Sequence, residues 1–199
     1  MSLRRLGGVG YEGRARHWTR TEYERLIVLG VLQEDEPIEL VGGLLRVCEP
    51  QDSPHMVAIG LATDALRAAF GAGWAIRVQG PLALDADSEP EPDVAVVRGT
   101  HRDYVHAHPA QPALVLEVAD SSLTADREEK GSLYARAGLA DYWIVNLVER
   151  VLEVYHVPVI DAAAPFGWRY SRRVVLGAAE SVSPRAAPAA VVPVAELLP

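Results

Sequence analysis

The chain has 199 residues, of which 49% are hydrophobic and 23% are charged, and its net charge is −8. A chain of this length and composition forms one globular domain, which excludes the disordered and collagen-like classes. The negative charge argues against a protein that coats nucleic acid through bulk attraction. The single cysteine, Cys48, excludes internal disulfides and CxxC metal sites, and no apolar run approaches the roughly 18 residues of a membrane helix.

Charge and composition divide the chain into three parts. The first 20 residues carry five arginines and one glutamate, a charge of +4, which leaves −12 for the remainder. We predict a basic arm at 1–18, one domain at 19–177, and an Ala/Pro-rich covering tail at 178–199 with a short helix at VAELL. Because no apolar segment follows the N-terminal arginines, we expect no secretory signal, a cytoplasmic location and no membrane partner.

The first predicted elements are a helix and a hairpin. Thr19 or Thr21 can cap a helix over 21–31, where the apolar spacing gives one buried face. Gly42 and Gly43 separate two apolar runs and can supply the positive φ of a two-residue turn. The sequence therefore predicts a β-hairpin around this glycine pair.

A long helix and a series of strands follow. Ser53 is the predicted cap of the helix, Pro54 is its predicted first helical residue, and Gly71 ends it. Strands are predicted at 74–79, 93–97, 113–118, 142–147, 151–157 and 168–176.

One predicted helix lies between two of these strands, over 124–137, with Thr124 as its cap and Gly138 as its stop. A strand, a helix and a strand in this order form a βαβ unit. Several of the strands are continuously apolar, as strands covered on both faces are. We therefore expect a sheet with helices on both sides.

Three charged residues interrupt apolar elements. Asp93 begins one strand, Glu117 lies near the end of another, and Lys130 falls on the apolar face of the following helix. Lys130 is also the only lysine beside 18 arginines. Because a lone buried charge costs several kcal/mol, the three should converge and compensate one another, or hold a metal.

Each residue also has a simpler interpretation. An aspartate after proline at a strand start is commonly a turn acid, and a glutamate in a strand is commonly an edge residue. Lys130 could pair only with Asp126, one helical turn away. The order of the three residues along the chain favours convergence over these separate interpretations.

The order of the motifs resembles the Uma-type restriction-endonuclease-like proteins, a bacterial domain of unknown function in the PD-(D/E)xK nuclease superfamily. The resemblance covers roughly residues 20–157. Its matching stretches are IELVGGLL, SPHMVAIG, EPDVAVV and PALVLEVADSSLTADREEKGSLYARAGLADYWIVN. It implies an α/β (α+β) fold, a restriction-endonuclease-like mixed β-sheet flanked by helices, with an N-terminal helix and β-hairpin.

The resemblance also implies roles for individual residues. Asp93 and Glu117 would be the acidic pair. The family's usual lysine two residues after the second acid is missing, because Ala119 occupies that place, and Lys130 would reach back to replace it. Glu39 and His55 match further family positions and are expected to be accessory metal or substrate contacts.

The expected function is Mg²⁺- or Mn²⁺-dependent hydrolysis of DNA phosphodiester bonds. Asp93, Glu117 and the Val118 carbonyl supply the hard oxygen ligands that such an ion prefers, and Lys130 would orient the attacking water. Two alternatives stay open: a non-catalytic nuclease-fold binding module, and a metal-dependent hydrolase of a small phosphate ester. We also expect a homodimer, with the strand at 168–176 and the hairpin as contact surfaces.

Overall fold

The computed structural model describes residues 15–33, 36–48 and 51–199. Most of the predicted basic arm, residues 1–14, lies outside the described residues. Helix α1 spans Arg20–Val28, and Thr19 caps it in a reciprocal pair of hydrogen bonds with Glu22. The helix is shorter than the predicted 21–31, and Gly30 just beyond it has a φ of +66°.

The predicted hairpin is present. Strands β1 (Ile38–Val41) and β2 (Leu44–Val47) pair antiparallel across Gly42 and Gly43, whose φ values are +56° and +80°. Glu39 lies directly opposite Arg46 in this register. Opposite residues of an antiparallel pair project on the same face, so the hairpin presents an acid and a cation together.

Helix α2 spans Ser53–Phe70 and ends at Gly71. Its cap is Asp52, whose carboxylate accepts the His55 N–H at 3.0 Å. The prediction of Ser53 as the cap is therefore wrong by one residue. The aspartate one position earlier satisfies the same free amide groups, and Pro54 still falls in the first turn.

A six-stranded mixed sheet forms the centre of the domain. Its strands are β3 (Trp74–Val78), β4 (Val94–Arg98), β5 (Leu114–Ala119), β6 (Tyr142–Asn146), β7 (Val151–Ile160) and β8 (Trp168–Gly177). They lie in sequence order, and all neighbours are antiparallel except β5 and β6. The parallel pair is the predicted βαβ unit.

The crossover between β5 and β6 is helix α3. It consists of three consecutive segments: the α-helical turn Leu123–Ala125, the π-helical turn Asp126–Lys130 and the α-helical Gly131–Arg136. The prediction of Thr124 as its cap is wrong, because the helix begins at Leu123 and Thr124 lies inside it.

The two faces of the sheet bury separate cores. Helix α2 packs on one face around Leu116 and Trp143, and helix α3 packs on the other around Val115 and Ile144. The sheet is therefore covered by helices on both sides, as predicted. Glu117 shares a strand face with Val115 and so points toward α3.

The C-terminal segment packs on the α2 side of the sheet, where Val192, Val194 and Leu197 join the core. It forms the short strands β9 (Ser181–Val182) and β10 (Val192–Pro193). A 3₁₀ turn, Val194–Glu196, stands where a short helix is predicted. Among the described residues, no helix is both long and apolar enough to cross a bilayer.

Candidate active site

Backbone hydrogen bonds connect Asp93 and Glu117 at the end of the sheet where β4 begins and β5 ends. The backbone N–H of Asp93 donates to Glu117 Oε2 at 3.1 Å, and the N–H of Val118 donates to Asp93 Oδ2 at 2.8 Å. Only 7% of Asp93 and 2% of Glu117 is exposed. Because these amides fix both carboxylates, the pair has one defined geometry.

Lys130 approaches the same point from the π-helical turn. Its Nζ lies 3.1 Å from Glu117 Oε1 and 3.7 Å from Glu39 Oε1. No ion pair joins it to Asp126 among the described residues. The alternative in which Lys130 pairs only with Asp126 is therefore wrong.

The π-helical turn has an identifiable cause. The Gly131 N–H donates to the Asp126 carbonyl five residues earlier, and the Tyr142 hydroxyl donates to the same oxygen at 3.0 Å. A Cβ at Gly131 would lie 3.3 Å from that oxygen, so glycine allows the close approach. Such turns are common at functional sites, and this one carries Lys130.

Glu39 and His55 reach the site from the N-terminal elements. Glu39, on β1, accepts the Glu91 N–H through Oε2 at 3.0 Å. His55 Nε2 lies 3.2 Å from Asp93 Oδ2, from the first turn of α2. The structure thus brings all five predicted side chains together, with Glu39 beside Lys130 and His55 beside Asp93.

Three further side chains belong to this site and were not predicted. The Tyr134 hydroxyl donates to Glu117 Oε1 at 2.7 Å, and Gln51 Nε2 donates to Asp93 Oδ1 at 3.2 Å. Asp126 is only 3% exposed and accepts the Ser122 hydroxyl at 2.6 Å. Tyr134 is recognisable in the sequence one helical turn after Lys130, on the same apolar stripe.

Burial and crowding of like charges govern the ionisation of the site. Burial raises the pKa of Glu117 to about 8, with Lys130 opposing the shift and Asp93 adding to it. Burial also raises the pKa of Asp126. For Lys130, burial lowers the pKa, but the carboxylates, Glu117 first, outweigh it and hold the pKa well above its ordinary value. Lys130 therefore remains an ammonium ion among more acids than it can neutralise.

These residues line a cleft of about 440 Å³. Its described lining holds two basic side chains that stay charged at neutral pH, Arg46 and Lys130, besides the imidazole of His55. Its acids are Glu39, Asp52, Glu91, Asp93, Glu117, Asp120, Asp126 and Glu129. The excess of carboxylates makes the cleft attractive to a divalent cation.

The donor set fits a hard cation. Asp93 Oδ1 and Glu117 Oε2 each accept one hydrogen bond within the described part of the chain, so each retains a lone pair. No group of three or more His, Cys, Asp or Glu side chains in that part is placed to hold an ion alone. Mg²⁺ normally binds through one or two carboxylates and keeps several waters, so two carboxylates suffice.

Comparison with known proteins places this chain in a family. A family model described as "Uma2: Putative restriction endonuclease" matches residues 20–195. The chain belongs to the Uma2 family. No curated protein matches it.

A solved structure shares the Uma2 chain's fold. It is described as a "putative nuclease belonging to DUF820 from Anabaena variabilis". The two chains are 14% identical with a TM-score of 0.65, over 85% of this chain and 94% of the other. The match confirms the mixed sheet flanked by helices that the sequence predicts.

Proposed function

We propose that this Uma2 protein is a metal-dependent endonuclease that hydrolyses DNA phosphodiester bonds at Asp93, Glu117 and Lys130. The observation that carries the proposal is the contact of the Lys130 ammonium with Glu117, 3.1 Å away, beside an aspartate fixed by the Glu117 strand. Two carboxylates can hold a metal ion that activates water, and an ammonium can offset charge on the phosphate, which together support metal-assisted phosphodiester hydrolysis.

In this proposal Asp93, Glu117 and the Val118 carbonyl hold Mg²⁺ or Mn²⁺. Extending the β4–β5 register by two residues places Pro92 opposite Val118. Proline has no N–H to donate, so the carbonyl remains open to an ion. A bound ion would lower the pKa of a coordinated water and offset charge on the phosphate.

The remaining residues position these groups. Lys130 orients the attacking water and offsets the charge that develops on the phosphate. Glu39 directs the Lys130 side chain from its second contact at 3.7 Å. Gln51 donates to Asp93 Oδ1 and His55 Nε2 lies 3.2 Å from Asp93 Oδ2, so these two side chains orient the Asp93 carboxylate.

A test compares plasmid nicking with hydrolysis of p-nitrophenyl phosphate, with and without Mg²⁺. We expect Mg²⁺-dependent nicking by the wild type that Asp93→Ala abolishes. Asp64→Ala is the matched control, because Asp64 is an exposed aspartate on α2 outside the cleft. Equal nicking by wild type and Asp93→Ala would contradict the proposal.

The size of the cleft favours one second candidate, a hydrolase of a small phosphate ester. A volume of about 440 Å³ suits a small-molecule ligand, and the acidic body disfavours tight binding of duplex DNA. Hydrolysis of p-nitrophenyl phosphate without nicking would support this candidate. A protein that binds DNA and hydrolyses neither substrate would be a non-catalytic binding module.

We also propose a homodimer, since two sites related by a twofold axis match the two strands of a duplex. Strand β8 lies at the edge of the sheet and spans ten residues, Trp168–Gly177. No other described strand pairs with its outer side, so it offers a long edge to a second copy. Light scattering at micromolar concentration tests this. A monomeric mass would contradict it.

A further inference from the structure

Arg46 reaches the cleft from the hairpin. It lies opposite Glu39 in the β1–β2 register, and Glu39 contacts Lys130, so both hairpin side chains face the same cleft. Arg46 Nη2 donates to Glu129 Oε2 at 2.9 Å. Glu129 immediately precedes Lys130 on the π-helical turn, so this ion pair lies next to the candidate site.

The two cations of the cleft lining differ in how firmly they are held. The Lys130 side chain is 19% exposed and lies between Glu117 and Glu39. The Arg46 side chain is 45% exposed, its partner Glu129 is 41% exposed, and this is its one ion pair in the described structure. Arg46 is therefore the cation of the lining that can change partner.

We propose that Arg46 binds a phosphate of the substrate, and that this phosphate displaces Glu129 from the guanidinium. The inference rests on the proposed function and adds the contact that holds the substrate anion at the mouth of the cleft. A guanidinium offers five N–H donors in a planar fork that matches a phosphate, and its hydrogen bond to Glu129 uses one of them. Exposed ion pairs of this kind are weak, so exchange is feasible.

The proposal also explains how an anion approaches so acidic a lining. Eight described carboxylates face the cleft, and a metal ion at Asp93 and Glu117 would offset only part of their charge. Arg46 is the exposed positive group at the hairpin side. A phosphate that exchanges with Glu129 keeps the guanidinium paired throughout.

The test is binding of a short fluorescein-labelled DNA duplex, measured by fluorescence anisotropy over a range of salt concentrations. In this assay Ca²⁺ replaces Mg²⁺. Ca²⁺ also binds oxygen ligands, but its coordination geometry is more flexible than that of Mg²⁺. Arg46→Gln should weaken binding about tenfold or more and reduce the salt slope by about 0.9, the value for one lost phosphate contact. The matched control is Arg67→Gln on α2, whose guanidinium pairs with Asp64 outside the cleft. The control should change neither quantity appreciably.

A second variant tests the exchange itself. Glu129→Gln frees Arg46 and should tighten binding, and this gain should disappear when Arg46→Gln is also present. An equal gain in both backgrounds would show a bulk charge effect and would overturn the proposal. Equal affinities and slopes for Arg46→Gln and Arg67→Gln, or no binding by the wild type, would overturn it as well.

The nicking assay separates this inference from the proposed function. Loss of binding specific to Arg46→Gln in a protein that does not nick DNA supports the phosphate contact and contradicts hydrolysis. Nicking that depends on Asp93 but is unaffected by Arg46→Gln supports hydrolysis and contradicts the phosphate contact.

Discussion

Two substitutions at Lys130 separate its charge from its shape. Arginine keeps the positive charge but presents a larger planar group that cannot release its proton. Methionine keeps approximately the length of the side chain and removes the charge. The structure predicts that only the methionine variant loses stability and that both lose hydrolysis.

The magnitudes follow from the two contacts of the ammonium. At an effective dielectric constant of about 20, charges 3.1 and 3.7 Å apart attract by roughly 5 and 4 kcal/mol before desolvation is counted. Removing one partner of such a buried pair costs about 3–5 kcal/mol. Lys130→Met should therefore lower the free energy of unfolding by about that amount at pH 9, whereas Lys130→Arg should stay within about 1 kcal/mol.

The loss in Lys130→Met should depend on pH. The pKa of Glu117 is raised to about 8 from an ordinary value of 4.5, so the unfolded chain releases this proton first and stability falls as pH rises from about 4.5 to about 8. Without the ammonium the pKa of Glu117 rises further, and the loss of stability continues above pH 8. The cost of Lys130→Met should thus be smaller at pH 5, where Glu117 is protonated in both folded proteins, than at pH 9.

Urea denaturation at both pH values, followed by plasmid nicking on the same preparations, measures these effects. We expect nicking by Lys130→Arg to fall about 10² or more, the scale of one lost preorganised electrostatic contact. Full nicking activity in Lys130→Arg would remove Lys130 from the mechanism. Wild-type stability of Lys130→Met at pH 9 would refute the ion-pair reasoning.

Two further predictions concern the scaffold. The pKa of Glu153 is lowered to about 2, because hydrogen bonds from Arg127 and its other neighbours outweigh its burial. Relative to the ordinary pKa of 4.5, this lowering stabilises the fold by about 3 kcal/mol above pH 4.5. The stabilisation is lost as pH falls toward 2. Urea denaturation should show Glu153→Gln less stable by about that amount at pH 7, and a gap that does not narrow between pH 4.5 and 2 would contradict this origin. Gly42→Ala should lower the free energy of unfolding by about 2 kcal/mol or more, because φ is +56° and the new methyl would overlap the Phe166 ring. The control is Gly138→Ala, where φ is +74° but no atom lies close to the new methyl. Equal thermal stability of the two alanine variants would contradict the overlap.

Local signals in the sequence predict much of the fold. The glycine pair of the hairpin, the apolar strand runs and the Gly71 helix end all act through the conformation of nearby residues. Helix caps are less well defined, because Asp52 and Ser53 can satisfy the same amides and only the folded backbone selects one. The error at Thr124 has a different origin, because Ser122, the residue before α3, makes no side-chain cap hydrogen bond.

The sequence predicts a residue of the candidate site where a charged side chain interrupts an apolar element. Asp93, Glu117 and Lys130 are charged residues on apolar elements, so their burial requires partners. The π-helical turn has no such signal, because it depends on the Tyr142 hydroxyl bonding to a carbonyl 16 residues earlier. The contact of Gln51 with Asp93 likewise joins distant parts of the chain.

The most direct measurement of the central claim is the rate of plasmid nicking by Glu117→Gln across a titration of Mg²⁺. Glutamine keeps the shape of the side chain and removes the charge that the site offers to a metal ion. We expect saturable, Mg²⁺-dependent nicking by the wild type, and a rate lower by about 10² or more for the variant at every Mg²⁺ concentration. Nicking by Glu117→Gln at the wild-type rate with the same Mg²⁺ dependence would contradict the assignment of this cleft as the active site.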